Sequence, residues 1–517
     1  MSDLRLADLL VGLSGVTDLG MGQPPGAAAR ACFLSTSLAR AAGLAESDVQ
    51  DVFYTSMLQH IGCTAYSHES SAYYPDEQSI KQVSAETNFD DMKEIFLSYL
   101  PSVTRKAPSG ARLKTFRSAL LRGNSITEGY TRSNCEVGSN MARRLGLSPN
   151  VQRGLLHIFE WWNGKGRPRH LKGEEISLAT RVAHVGGYGA LFARLGGPEA
   201  AVGAIRERSG GYLDPALAEE FCRNAGRLLG ELASADVFVA LGDVEPQKHL
   251  TVSDARLDDV LRAFGDVVDL KAPCFHGHGF GVAELGGAAA AVLSLPERDA
   301  LAVRRAGFVH DLGRAAVANG IWERPGPLRT DEWSQVRLHP YHSEQILERS
   351  EPIAHLAPLA AAHHERLDGS GYYRRSTAAV LPMAARVLAA ASAFQAMIQP
   401  RPHRPALTRE RAAAELRTAA AVGVLDHEAV EAVLQVAGQE PARVRRAWPA
   451  GLTDRQVEVL RLVTEGLSNR AVAARLHVST RTAEHHVQDV YAKIGVSSRA
   501  AAALFAMEHH LLQPKDW

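Results

Sequence analysis

The residues able to do chemistry in this chain gather in its second half. His278 is followed by His310-Asp311, then His339, then the pair His363-His364, then Asp368. Imidazoles and carboxylates are the ligand set of Mn, Fe, Ni or Zn, and one carboxylate can bridge two ions. Two such ions polarise a phosphate and generate hydroxide, which is what hydrolysis of a phosphodiester needs. A lone histidine is better explained as a satisfied core residue; this ordered series points to a metal centre.

The elements that must position these residues read as helices. Apolar residues recur at helical spacing over 216–233 and 410–438, and strand-like alternation is scarce, so the expected fold class is all-α. A length of 517 residues suggests about three or four domains. An apolar content of 46% is enough for sizeable cores. The formal net charge is zero, so charge on the whole chain announces neither a nucleic acid nor a membrane. The five cysteines (Cys32, Cys63, Cys135, Cys222, Cys274) are scattered, with no Cys-x-x-Cys, which argues for a reducing, cytoplasmic location. No basic start precedes an apolar run, and no apolar stretch is long enough to span a bilayer, so neither secretion nor a membrane partner is expected.

The chain repeats itself. Residues 160–178 read EWWNGKGRPRHLKGEEISL and residues 365–382 read ERLDGSGYYRRSTAAVLP. Both run Glu, two residues, Asn or Asp, Gly, one residue, Gly, a basic turn, and then a helix opening on Arg-Val. Further back, MLQHIGC (57–63) parallels FVHDLGR (308–314). A repeat this long means two diverged copies of one helical domain.

The second copy, about 270–440, resembles the HD-GYP family, the helical metal phosphohydrolases that cleave cyclic di-GMP. His278, HDLG (310–313), HP (339–340), HHE with DGSGY (363–372) and RPHRPAL (401–407) carry the resemblance. It implies that His278, His310 and Asp311 hold one divalent ion (Fe, Mn, Ni or Zn). A second would be held by Asp311, His339, His363 and His364, with Asp311 bridging. Asp368 and the GSGY loop would face the substrate, and Asp311, Arg314 and Asp368 would be the catalytic groups. The departures are specific. Arg314 stands for the family's lysine, Tyr373 for its proline, and Ser392 and Gln395 for two late carboxylates. The first ion position thereby loses an anionic ligand, so one ion is expected to bind well and the other poorly.

The first copy has lost these ligands: Gln59-His60 replace the His-Asp pair, Asn134 replaces the next histidine, Ile158-Phe159 replace the paired histidines, and Gly187 stands at the late aspartate. It looks like a degenerate HD-GYP domain with an insertion near 68–125, suited to dimerisation, ligand sensing or support. His60, His68, His157 and His184 are expected in packing or surface roles.

Residues 451–512 carry helix signals of their own. Thr453 and Gln456 form a capping box, Gly466 ends that helix, Ser468 and Ser479 cap two more, and Gly495 stops the last of these. Helix, tight turn, helix is the unit that reads DNA in the major groove. The stretch is similar to LuxR-type helix-turn-helix domains along its full length, through LT-x-R-Q-x-EVL, EGLSNRAVAARL, VS-x-x-T, His486, KIGV and SSRAAA. The resemblance implies a regulator that binds double-stranded DNA as a homodimer. Thr480, Arg481, Thr482, Glu484, His485, His486 and Gln488 would lie on or beside the recognition helix, with Arg470, Lys493 and Arg499 on phosphates. From Pro449 onward eight Lys and Arg face seven acids, so affinity would need dimerisation and help from Arg443, Arg445 and Arg446.

The expected organisation is a degenerate domain (1–235), a metal phosphohydrolase-like domain (265–440), a linker (441–450) and a DNA-binding domain (451–517). The expected function is a cytoplasmic transcription regulator whose tandem module senses or processes a nucleotide or metal signal, with cyclic di-GMP or another nucleotide as ligand. The rival is a working phosphodiesterase with a regulatory DNA-binding tail.

Overall fold

The computed structural model describes residues 4–74, 76–106, 112–438 and 448–512. Arg443, Arg445, Arg446 and most of the expected linker lie outside them. The described chain is all-α apart from a two-residue antiparallel pair, Leu4–Arg5 with Thr251–Val252. It divides into two compact units, Met1–Asp254 and Ala255–Trp517.

In the first unit, helices Ala27–Ala41, Glu46–Leu58 and Leu178–Arg208 pack around buried Phe53, Leu34, Leu38 and Phe221. The buried Asp18 carboxylate accepts the backbone N–H groups of Gly26 (2.7 Å) and Ala28 (2.8 Å), answering orphan donors where Ala27–Ala41 begins. The expected insertion is itself helical. Its segments Ser67–Ser71, Glu77–Glu86 and Leu100–Lys106 meet Arg112–Arg144 over a small core of Tyr74, Val103 and Ile126.

In the second unit, His278–Val292, Glu297–Val309, Met383–Met397 and His427–Ala437 bury a shared core that includes Val282, Val303, Leu388, Phe394 and Val433. Ala289, Ala290, Ala306 and Ala390 are buried in the same core, and their small side chains let the helices approach closely. A separate core of Leu460, Val463, Val472, Val487, Val490 and Ala502 holds the last four helices. Their caps are those expected: Thr453 with Gln456, then Ser468 and Ser479, with Gly495 left-handed after Thr480–Ile494. Arg262 ties this C-terminal bundle to helix Asp254–Asp269: its guanidinium donates to Met507 O and lies over the Phe280 ring, which meets His510 at 4.7 Å.

The repeat is built atom for atom. Glu160 accepts the backbone N–H of Arg169 (2.7 Å) and Leu171 (2.9 Å); Glu365 accepts those of Arg374 (2.8 Å) and Ser376 (2.7 Å), at the same two spacings. Gly164 and Gly369 are both left-handed. At Gly166 a Cβ would fall 2.2 Å from Trp161 N, and at Gly371 2.5 Å from Arg366 N, so only glycine fits the second position of either turn. After each turn an arginine pairs with the aspartate that caps the tail helix: Arg181 with Asp214 (2.6 Å) and Arg386 with Asp426 (2.9 Å).

Candidate metal centre and nucleic-acid interface

Four elements of the second unit deliver six ligand-type side chains to one place. His278 opens the helix His278–Val292. His310 and Asp311 follow the end of Glu297–Val309, His339 opens His339–Glu348, and His363 and His364 lie in the short turn before Glu365. They form two groups. His278, His310 and Asp311 are all buried; His339 and His363 are buried and His364 is half-buried. Asp311 stands between the groups. Its Oδ2 lies 2.9 Å from His310 Nε2 and 3.5 Å from His278 Nε2, and its Oδ1 lies 3.2 Å from His339 Nε2 and 3.4 Å from His363 Nε2.

The far side of each ring fixes its proton. Nδ1 of His310 faces Gly307 O at 2.8 Å, that of His339 faces Val336 O at 2.6 Å, and that of His363 faces Ala360 O at 2.6 Å. A carbonyl oxygen only accepts, so each Nδ1 carries the hydrogen and each Nε2 presents a lone pair. His278 follows the same rule. Gln399 donates its amide N–H to His276 O (3.2 Å), which turns its Oε1 toward His278 Nδ1 at 2.8 Å. Four imidazole lone pairs thus converge on a carboxylate, and His339 Nε2 sits 3.1 Å from His363 Nε2 with no proton to share. Such a cluster repels itself unless a cation occupies it; the donor set and its outer hydrogen bonds fit divalent metal ions.

Burial works against charging Asp311, but the Arg314 guanidinium, whose Nη2 is 2.5 Å from Oδ2, holds its carboxyl well below the usual range. Burial pushes His363 down to about 3, keeping it neutral and ligand-competent. Arg314 is fixed over the Phe275 ring at 4.1 Å, with Arg401 over the same ring at 5.2 Å. Asp368 is exposed, accepts from Ser370 N (3.0 Å) and Oγ (2.7 Å), and joins neither ligand group. Ser392 is buried on Met383–Met397. Tyr373 takes up a role of its own: its hydroxyl donates to buried Glu344, which also receives Arg374 Nη2 at 2.7 Å and 2.8 Å. Sequence reasoning missed Gln399 and Glu344, since no spacing marks a residue that only orients another; the Phe275 ring under Arg314 left no signal either.

In the C-terminal bundle, Arg470, Thr480, Arg481, Thr482, Glu484, His485 and Gln488 are exposed, while Ala483, Val487 and Val490 face the core. His486 is half-buried. Two of the expected phosphate contacts are already engaged within the domain. Lys493 Nζ donates to Gly451 O (3.0 Å) and Gln456 Oε1 (2.9 Å), and Arg499 donates to Leu467 O (2.6 Å) and Asn469 Oδ1 (2.9 Å).

The chain is 31% identical over 412 residues to 3′3′-cGAMP-specific phosphodiesterase 3 of Vibrio cholerae, covering 79% of this chain and 90% of that relative. The match is longer than either compact unit, so it reaches into both. This chain belongs to the HD-GYP family. The HD domain matches residues 262–428, and the luxR family of bacterial regulatory proteins matches residues 450–506. A crystal structure of a V. cholerae cyclic GMP-AMP-specific phosphodiesterase superposes with a TM-score of 0.58 at 28% identity, over 85% of this chain and 99% of that one. The cyclic di-GMP phosphodiesterase response regulator RpfG of Xanthomonas campestris is 33% identical over 137 residues, which is 26% of this chain and 36% of RpfG. Among the described residues no helix is long and apolar enough to cross a membrane.

Proposed function

We propose that this HD-GYP protein is a transcription regulator of luxR type whose second unit holds divalent metal and takes the phosphodiester of a cyclic dinucleotide. The convergence of four bare Nε2 atoms on the Asp311 carboxylate carries this reading. His278, His310 and Asp311 Oδ2 would hold one ion; Asp311 Oδ1, His339, His363 and His364 would hold the other. Metal in such a site polarises a phosphate oxygen and lowers the pKa of water. The chain supplies the rest. Gln399 and the three carbonyls orient the imidazoles. Arg314 would offer a guanidinium to the phosphate beside Asp311, and Asp368, exposed in the turn after His363-His364, would meet the leaving hydroxyl or a base. The chemistry of its relatives' substrates favours cyclic GMP-AMP or cyclic di-GMP.

Output would pass through Thr480–Ile494 in the major groove of double-stranded DNA, with two chains pairing as a homodimer. None of the five cysteines is in a disulfide, which supports a cytoplasmic setting. A second reading, a working phosphodiesterase with a regulatory DNA-binding tail, is favoured by the way the two Asp311 oxygens face the two groups. Metal content per chain by mass spectrometry, with turnover of both dinucleotides on the same preparation, separates them. Two ions and turnover make the chain an enzyme; one ion without turnover makes it a receptor whose output is DNA binding. A metal-free protein after loading with Mn or Fe overturns both.

A further inference from the structure

The first unit carries a cavity of about 830 Å³ that the metal centre does not explain. Gln59, His60, Ile158, Phe159 and Gly187 line it, the residues standing where the second copy has its ligands and Ser392. The structure supports that correspondence independently. A Cβ on Gly62 would fall 2.4 Å from Asn134 O, and one on Gly313 would fall 2.0 Å from His339 O, the same close approach in each copy. The first copy has exchanged a metal centre for a chamber, and the volume lies in the range that takes small molecules and cofactors.

The lining specifies a chemistry. Aromatic rings dominate: Trp161 stacks on Tyr212 at 4.0 Å, and Tyr130 meets Phe159 edge-on at 5.5 Å. Five cations, Arg30, Lys81, Lys165, Arg167 and Arg194, line the same cavity against two acids, Asp18 and Glu77, and Lys81 is committed to the Gly20 and Cys63 carbonyls. Asp18 is committed to the backbone of Gly26 and Ala28. The wall also holds polar atoms with no partner. Thr17 Oγ1, on a side chain only 3% exposed, is one; His60 Nδ1 and Gln23 Nε2 are others. Buried polar groups of this kind cost stability unless something answers them. Burial lowers His60 and His184 to about 4, so both are neutral hydrogen-bonding groups near pH 7. Flat apolar walls, unanswered donors and acceptors, and a surplus of guanidinium suit a planar heterocycle joined to an anion.

We propose that this cavity is a second ligand site, which binds a nucleotide through base stacking on its aromatic walls and phosphate pairing with Arg30 and Arg194. The site does not rest on the reading of the metal centre, and no hydrolysis is assigned to it. Its occupation would answer Thr17, Gln23 and His60.

The test uses the full chain with Asp311→Asn in EDTA, which disables the metal centre. Calorimetric titration with GMP, AMP, cyclic di-GMP and cyclic GMP-AMP supplies the nucleotide probes, and decanoate is the apolar-acid control. At least one nucleotide is expected to bind one per chain. Gly187→Leu, whose Cβ meets only the Gln59 side chain at 3.5 Å and which therefore projects into the cavity, should weaken it by about tenfold or more. Arg194→Glu, on the cavity wall, should do the same with the fold intact. Circular dichroism checks both variants. No nucleotide binding, binding that neither substitution alters, or binding of decanoate alone would each overturn the proposal. Failure of the metal centre to load or turn over leaves this result untouched, because the titration is done without it.

Discussion

Gln399 is not itself a candidate ligand and yet orients one. By accepting the Nδ1 hydrogen of His278 it leaves Nε2 bare toward Asp311. Gln399→Ala should lower metal affinity by about 10–100-fold without unfolding the unit, read by competition with a chromophoric chelator. Ser392→Asp should act the other way, since it restores an anion beside the His278 group; metal content per chain should rise, and no change would count against the alignment. The first unit holds three histidines that burial lowers to about 4: His60, His157 and His184. Their folded pKa lies below the ordinary 6.5, so between pH 6.5 and about 4 the unfolded chain takes up protons that the folded chain refuses. Stability is therefore full above pH 6.5 and falls as the pH drops through that window. Thermal melts across it should show the loss, and His184→Gln should flatten it.

At the scale of the element, the duplicated turn is the structural signature of the fold. Its carboxylate clamps two backbone N–H groups, and its second glycine has no room for a methyl group. Gly371→Ala must push apart Arg366 and the chain just after His363-His364. Metal content should fall sharply, whereas Gly166→Ala in the first copy should leave it unchanged while destabilising that unit. The caps of the DNA-binding bundle are simpler. Ser479 Oγ accepts from Thr482 N at 3.1 Å, and Ser479→Ala should cost about 1 kcal/mol in denaturant melts of the full chain's C-terminal transition.

For the whole molecule, two outputs share one chain, and linkage ties them. If metal or nucleotide alters DNA affinity by some factor, DNA alters ligand affinity by the same factor. The contact of Arg262 with Met507 and of Phe280 with His510 is a physical route for that coupling within the second unit. Arg262→Ala should bring the DNA affinities of the metal-loaded and chelated protein together, as measured by fluorescence anisotropy. Arg470 and Arg481 remain exposed while Lys493 and Arg499 are engaged internally. Arg470→Ala should lower the salt dependence of non-specific DNA binding by about one unit of slope.

The sequence by itself determined which helices form, where they are capped, that the chain carries a repeated turn, and which six side chains are candidate ligands. Those properties follow from local rules: spacing, capping chemistry and glycine turns act over a few residues. Tertiary structure decided the rest. The candidate ligands come from four elements spread over 278–364, so only folding could show that the two oxygens of Asp311 face two different groups. The direction of a side chain depends on neighbours distant in sequence. That is why Asp368 turns to Ser370, Lys493 and Arg499 turn into their own domain, and Tyr373 answers Glu344. The lost ligands of the first copy were legible; the chamber they left was not, because a cavity is made by the side chains around it and no motif encodes empty space.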